Sequence, residues 1–139
     1  MKTSEQRSEE LLLRAVAYVN QDKTSNLIEL WHRDAKLMVP EVPLICGKEH
    51  IEAWISANMR AHRYELEIEL QTIQVEARLT CADGSFIVRV IDGESGKVRV
   101  NNGKFLSILR TSESPAENSE ETLLIFRWCC NSSVPPPTE

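Results

Sequence analysis

From Tyr64 onward the chain changes its hydrophobic period, and that change constrains the fold more than any other feature. Tyr64-Glu-Leu-Glu-Ile-Glu-Leu70 alternates apolar and polar residues without exception, and Ile73, Val75 and Ala77 carry the pattern further. Successive side chains of a strand point to opposite faces, so this run describes a sheet with one buried and one solvated side. Before Tyr64 the apolar residues recur at helical spacing; after it, three more stretches read as strands. Helices first and strands afterwards imply an α+β domain. The expected architecture has three N-terminal helices packed in the concave face of a curved, mainly antiparallel sheet.

Thr3 and Gln6 have the spacing of a capping box, and Leu11, Leu12, Ala15, Val16 and Val19 follow as a helical stripe. Glu5, Glu9 and Glu10 fall early, where the helix dipole favours acids. The first helix is expected over Ser4 to Gln21. Thr24 or Ser25 caps a second helix carrying Leu27, Ile28, Leu30 and Trp31, expected to end between His32 and Asp34. Ala35 to Val39 reads as a short strand stopped by Pro40, and Leu44 to Cys46 as a strand pairing back on it. Gly47 is the hinge into a third helix, with Ile51, Trp54, Ile55 and Met59 on one stripe, reaching about His62.

In the strand half, Ala82-Asp83-Gly84 reads as a turn, followed by a strand over Ser85 to Asp92. Gly93 to Gly96 is a tight hairpin leading into a strand over Lys97 to Arg110. Residues 111–120 form a polar stretch that reads either as a mobile flap or as a tolerated insertion. Thr122 to Cys130 is the last strand. Residues 1–133 are read as a single domain, and the Pro-rich residues 134–139 as a flexible tail.

Charge and cysteine usage exclude several functions. The formal net charge is −5, and no basic run interleaved with aromatics occurs, so nucleic acid is not an expected partner. Arg14 interrupts the only apolar stretch near the N-terminus, and no stretch approaches the ~20 apolar residues of a membrane span. Cys46, Cys81, Cys129 and Cys130 match neither a zinc spacing nor a C-x-x-C motif. They read as reduced thiols in a cytoplasmic protein. His50 and His62 lack partners at ligand spacing, so neither metal nor cofactor is expected.

The order of these elements carries a resemblance. Leu30-Trp-His-Arg-Asp-Ala35 resembles the L-F/Y-x-x-D-A signature of the nuclear transport factor 2-like superfamily, which includes the SnoaL-like cyclases and ketosteroid isomerases. Pro40, Gly47-Lys-Glu-His-Ile51, Gly103-Lys-Phe105 and Asn131-Ser132 extend the similarity over residues 8–133. The resemblance implies a cone-shaped fold, a homodimer through the sheet, and a pocket between helices and concave sheet. It leaves activity open, because one fold hosts many functions. Relatives with isomerase activity use a carboxylate base, a tyrosine and a protonated acid at the enolate oxygen. By motif those roles fall at Val39, near Ala15 and within Gly103 to Phe105, none of which supplies the group. Cys130 stands where many relatives have tryptophan, and Trp128 where several have an acid. The expected function is therefore binding of a small hydrophobic or mixed-polarity molecule in an apolar pocket, with catalysis left open; if the chain is an enzyme, the resemblance implies proton transfer on a small carbonyl or polyketide-like substrate. The alternative is a non-catalytic dimerisation or association module.

Six residues are the candidates for ligand contact. Trp54 matches an aromatic that faces the pocket in similar proteins and reads equally as pocket wall or core, while Trp31 reads more as core than as wall. Val39 stands at the wall, just before Pro40. Trp128 lines the cavity or the dimer interface, depending on which face it takes. Tyr18 could place a hydroxyl at the cavity mouth or lie at the surface. Arg89 interrupts an apolar strand between Ile87 and Ile91, so it is paired, at a dimer seam, or aimed at an anionic ligand. His32 and Asp34 read as residues of a helix end more than as an acid–base pair. Glu65, Glu67 and Glu69 read as a solvated strand face.

Overall fold

The computed structural model describes residues 1–112 and 122–132. In chain order it contains α1 (Ser4–Asn20), α2 (Thr24–Glu29), β1 (Trp31–Met38), β2 (Ile45–Cys46), α3 (Lys48–Ala61), β3 (His62–Glu76), β4 (Leu79–Asp92), β5 (Val98–Thr111) and β6 (Leu123–Ser132). The strands form one sheet in the order β2-β1-β6-β5-β4-β3. All neighbours are antiparallel except β1 and β6. The three helices pack on its concave face, as the change of period requires.

The capping box forms: Gln6 N–H donates to Thr3 Oγ1 at 3.1 Å, and Thr3 N–H donates to Gln6 Oε1 at 2.9 Å. The far end of α1 is also tied down. Asn20 donates from Nδ2 to the Leu66 carbonyl at 2.9 Å and accepts from the Leu66 N–H at 2.6 Å. This side chain takes the place of a strand neighbour at the open edge of β3. Leu11 and Leu12 of α1, Ile28 of α2, Ile51 of α3, and Leu109 and Ile125 of the sheet meet in one core.

Two boundaries differ from expectation. The second helix ends at Glu29, and Trp31 to Asp34 belong to β1 instead of a helix terminus. Leu30 O accepts from Ile125 N–H at 2.8 Å, so β6 captures the segment immediately after the helix. Trp31, Ala35 and Leu37 share one strand parity and are buried, while Arg33 between them is exposed, where the register with β6 shifts between Trp31 and Lys36. The gap of four from Trp31 to Ala35 that this leaves is also a helical spacing, which accounts for the misplaced boundary.

The second difference concerns the long hairpin. The chain reverses at Ala77-Arg78, with Ala77 at φ 51°, and Ala82-Asp83-Gly84 lies inside β4. Ala82 is fully buried. Glycine is needed at position 84 for close approach: a Cβ there would run into the Glu69 carbonyl oxygen. Gly103 on β5 likewise sits against the Asn131 carbonyl and the Phe86 ring. With the bulge between Leu70 and Thr72, these glycines mark where the sheet bends. The Asp-Gly signal therefore reports curvature and not reversal.

On the convex side Glu65, Glu67 and Glu69 of β3 are solvated. Thr111 closes β5; residues 113–120 of the polar stretch, and the tail 134–139, lie outside the described residues. No helix among the described residues is long and apolar enough to cross a membrane.

Candidate functional site: an apolar cavity walled by tryptophans

Between α1, α3 and the concave sheet lies a cavity of about 210 Å³. Its floor is made of buried residues, among them Leu12, Leu27, Trp31, Leu37, Met59 and Ile125. Half-buried residues form its rim: Ala15, Val16 and Val19 from α1, Val39 after β1, Trp54 and Asn58 from α3, Tyr64 and Leu66 from β3, and Trp128 from β6. The chain has three tryptophans, and all of them line this space. Phe105 stacks behind Trp128, with ring centroids 4.8 Å apart and planes at 7°. This offset pair fixes the indole against the cavity.

Asn58 and Tyr64 bring the polar groups to the wall. Asn58 Nδ2 donates to the Trp54 carbonyl at 2.8 Å, and the Tyr64 hydroxyl donates to Asn58 Oδ1 at 3.5 Å, a long and weak bond. Burial raises the Tyr64 hydroxyl above its ordinary value, with Arg99 acting the other way. The phenol is therefore a neutral donor at physiological pH. None of the lining residues is a carboxylate, histidine, lysine, arginine or cysteine. Two buried ring nitrogens, Trp31 Nε1 and His62 Nδ1, have no hydrogen-bond partner among the described residues.

Four of the six candidate residues come together here: Trp31, Val39, Trp54 and Trp128. The face of Trp128, open from sequence, is the concave one. Tyr18, left open between cavity mouth and surface, packs against the core and is not among the residues lining the cavity. Arg89 lies outside the cavity and takes the paired one of its alternatives. It shares the convex face with Glu65, its cross-strand partner, and its Nε lies 3.2 Å from Glu65 Oε1. Strand parity put the guanidinium on the side opposite the helices.

Sequence reading missed Asn58, Tyr64 and Leu66, although a signal was present. Asn58 lies one helical turn beyond Trp54, and Tyr64 and Leu66 have the inward parity of the alternating strand. His32 and Asp34 lie away from the cavity. His32 Nδ1 accepts from the Asp34 N–H at 3.0 Å, and its ring meets Phe126 edge-on at 5.2 Å. Burial, ahead of the opposing Asp34 charge, lowers its pKa. Of the positions matched to isomerase chemistry, Val39 and Ala15 line the cavity and Phe105 stands behind Trp128.

A cone of three helices on a curved sheet, with an apolar space between them, defines a class of small α+β proteins. Comparison with solved structures gives that class its name. A ketosteroid isomerase-like protein from Erwinia carotovora atroseptica superposes with a TM-score of 0.78 at 17% identity, covering 91% of this chain and 94% of that one. A nuclear transport factor 2-like protein from Salmonella enterica serovar Typhimurium gives 0.78 at 12% identity, covering 96% and 93%. A protein from Catenulispora acidiphila, solved in complex with S-DNPA, gives 0.67 at 11% identity, covering 90% of both chains. No protein-family profile and no curated protein sequence matches the chain. The chain has the nuclear transport factor 2-like fold.

Proposed function

We propose that this chain is a small-molecule-binding protein that takes an apolar ligand into the tryptophan-walled cavity. The observation that carries the reading is the cavity itself: an open, almost wholly apolar space that a protein interior would otherwise fill. The complex of a like-folded protein with S-DNPA supports it by analogy of fold. Native mass spectrometry of the purified protein, followed by denaturing extraction, tests it. A co-purified or soaked apolar molecule retained by the folded chain is the expected result. Failure to retain any across a broad panel would overturn the reading.

A second observation supports homodimerisation and keeps a non-catalytic association role as the alternative. Leu79, Ile87, Val98, Val100 and Leu106 are about half exposed, and strand parity puts all five on the convex face of β4 and β5. Charge is graded across that face, with Glu65, Glu67 and Glu69 on β3 and Lys36, Lys104, Arg110 and Arg127 towards the opposite edge. A two-fold axis along the strands would lay the acidic edge of one copy over the basic edge of the other, with apolar centres in contact. Sedimentation velocity tests this: Val100→Asp should yield monomer, and a wild-type monomer would refute the dimer.

A further inference from the structure

One rim residue, Tyr64, lies in register with an arginine. Tyr64 on β3 pairs with Val90 on β4, and Val90 pairs with Arg99 on β5. Cross-strand partners share a face, so Tyr64, Val90 and Arg99 form one row on the concave side. Burial raises the pKa of the Tyr64 hydroxyl, and the Arg99 charge along that row opposes the rise. Unlike Arg89 and Arg63, which hold Glu65 on the convex face, Arg99 has no carboxylate partner among the described residues. Among the described residues the Tyr64 hydroxyl is held by its long bond to Asn58 alone, which leaves its proton able to serve another acceptor.

We propose that the ligand of this cavity is an amphipathic monocarboxylic acid, its apolar body among the tryptophans and its carboxylate at the rim between the Tyr64 hydroxyl and the Arg99 guanidinium. This rests on the cavity being a ligand site and names the class of ligand. A cavity of about 150 Å³ takes benzene, so 210 Å³ suits an apolar body of about eight carbons. One guanidinium and one hydroxyl match the two oxygens of a single carboxylate. A phosphate dianion would find one cation where it needs more. The cavity lining carries no acid to repel the head group. The net charge of −5 disfavours anions in general, so selectivity for an acid must come from a local cation.

Octanoate and octanol share an alkyl chain and differ in head group, which makes them the test pair. Binding is read from the fluorescence of Trp31, Trp54 and Trp128, all of which line the site. Octanoate should bind about five- to tenfold more tightly than octanol, the range for a charge-assisted bond at a partly solvated rim. Arg99→Gln should abolish that ratio while leaving octanol binding unchanged. Equal binding of the two by the wild type, or an undiminished ratio in Arg99→Gln, overturns the carboxylate assignment and leaves the cavity reading standing. Binding of neither overturns both.

Discussion

Filling the cavity from α1 separates a ligand site from a packing defect. Ala15 lines the space from a helix, and leucine there costs little in helix propensity. Leucine adds three carbons, each worth about 0.8 kcal/mol when buried, for a gross gain of about 2.4 kcal/mol. Ordering its side chain costs about 0.5–1 kcal/mol. The net expectation for Ala15→Leu is about 1.5 kcal/mol of added stability, or about 5 °C in Tm for a chain of this length. The same carbons occupy space the ligand needs, so octanoate affinity should fall about tenfold or more. Thermal unfolding by circular dichroism and titration by tryptophan fluorescence measure the two effects on one sample. Stability gained as binding is lost is the signature of a cavity kept open for use. A loss of 1 kcal/mol or more on Ala15→Leu would refute the reasoning, because it would mean the space was already filled and the new side chain overpacks it.

Three further outcomes follow from single contacts. Gly84→Ala should destabilise by about 3 kcal/mol in urea unfolding, because the added carbon meets the Glu69 backbone, which has no rotamer to yield. Asn20→Ala should cost about 2 kcal/mol by removing two hydrogen bonds to Leu66, and should speed amide exchange at Leu66 more than elsewhere on β3. His32 has its folded pKa lowered by burial, so the unfolded chain binds the proton first as pH falls below about 6.5. Stability should decline from there down to the folded pKa and then level off for this group. His32→Gln should flatten that part of the stability–pH curve, measured by urea midpoints.

How far the sequence was legible depends on whether a local pattern had one physical meaning. The alternation from Tyr64 had one, and it correctly gave a strand with acids on the solvated side and apolar residues on the helices. The capping box at Thr3 had one as well. Leu30-Trp31 had two, since an apolar pair at that point can close a helical stripe or begin a strand. Pairing with β6, about a hundred residues later, decided between them. Ala82-Asp83-Gly84 was ambiguous in the same way. Glycine serves a turn or a close approach equally well, and the Glu69 carbonyl that fixes the answer is visible only once β3 and β4 are in register.

The site follows the same division. The tryptophans were legible as interior residues by size and apolar spacing, but core and cavity wall look alike in sequence, and the face of Trp128 needed its register with β5. Arg89 and Arg99 sit on strands of similar composition, yet the register sends them to opposite faces of one sheet. Arg89 meets Glu65 directly across β3, and its charge is settled there. Arg99 pairs with Val90, so its row ends at Tyr64 and the cavity rim. Moving the strand of either arginine by one residue would turn that guanidinium to the other face, so the proposed head-group contact depends on strand register. The conservative replacement Arg99→Lys sharpens the point: it keeps the charge and loses the planar pair of donors. If register positions a fork for a carboxylate, lysine should retain only part of the octanoate preference, and full retention would show that charge alone suffices.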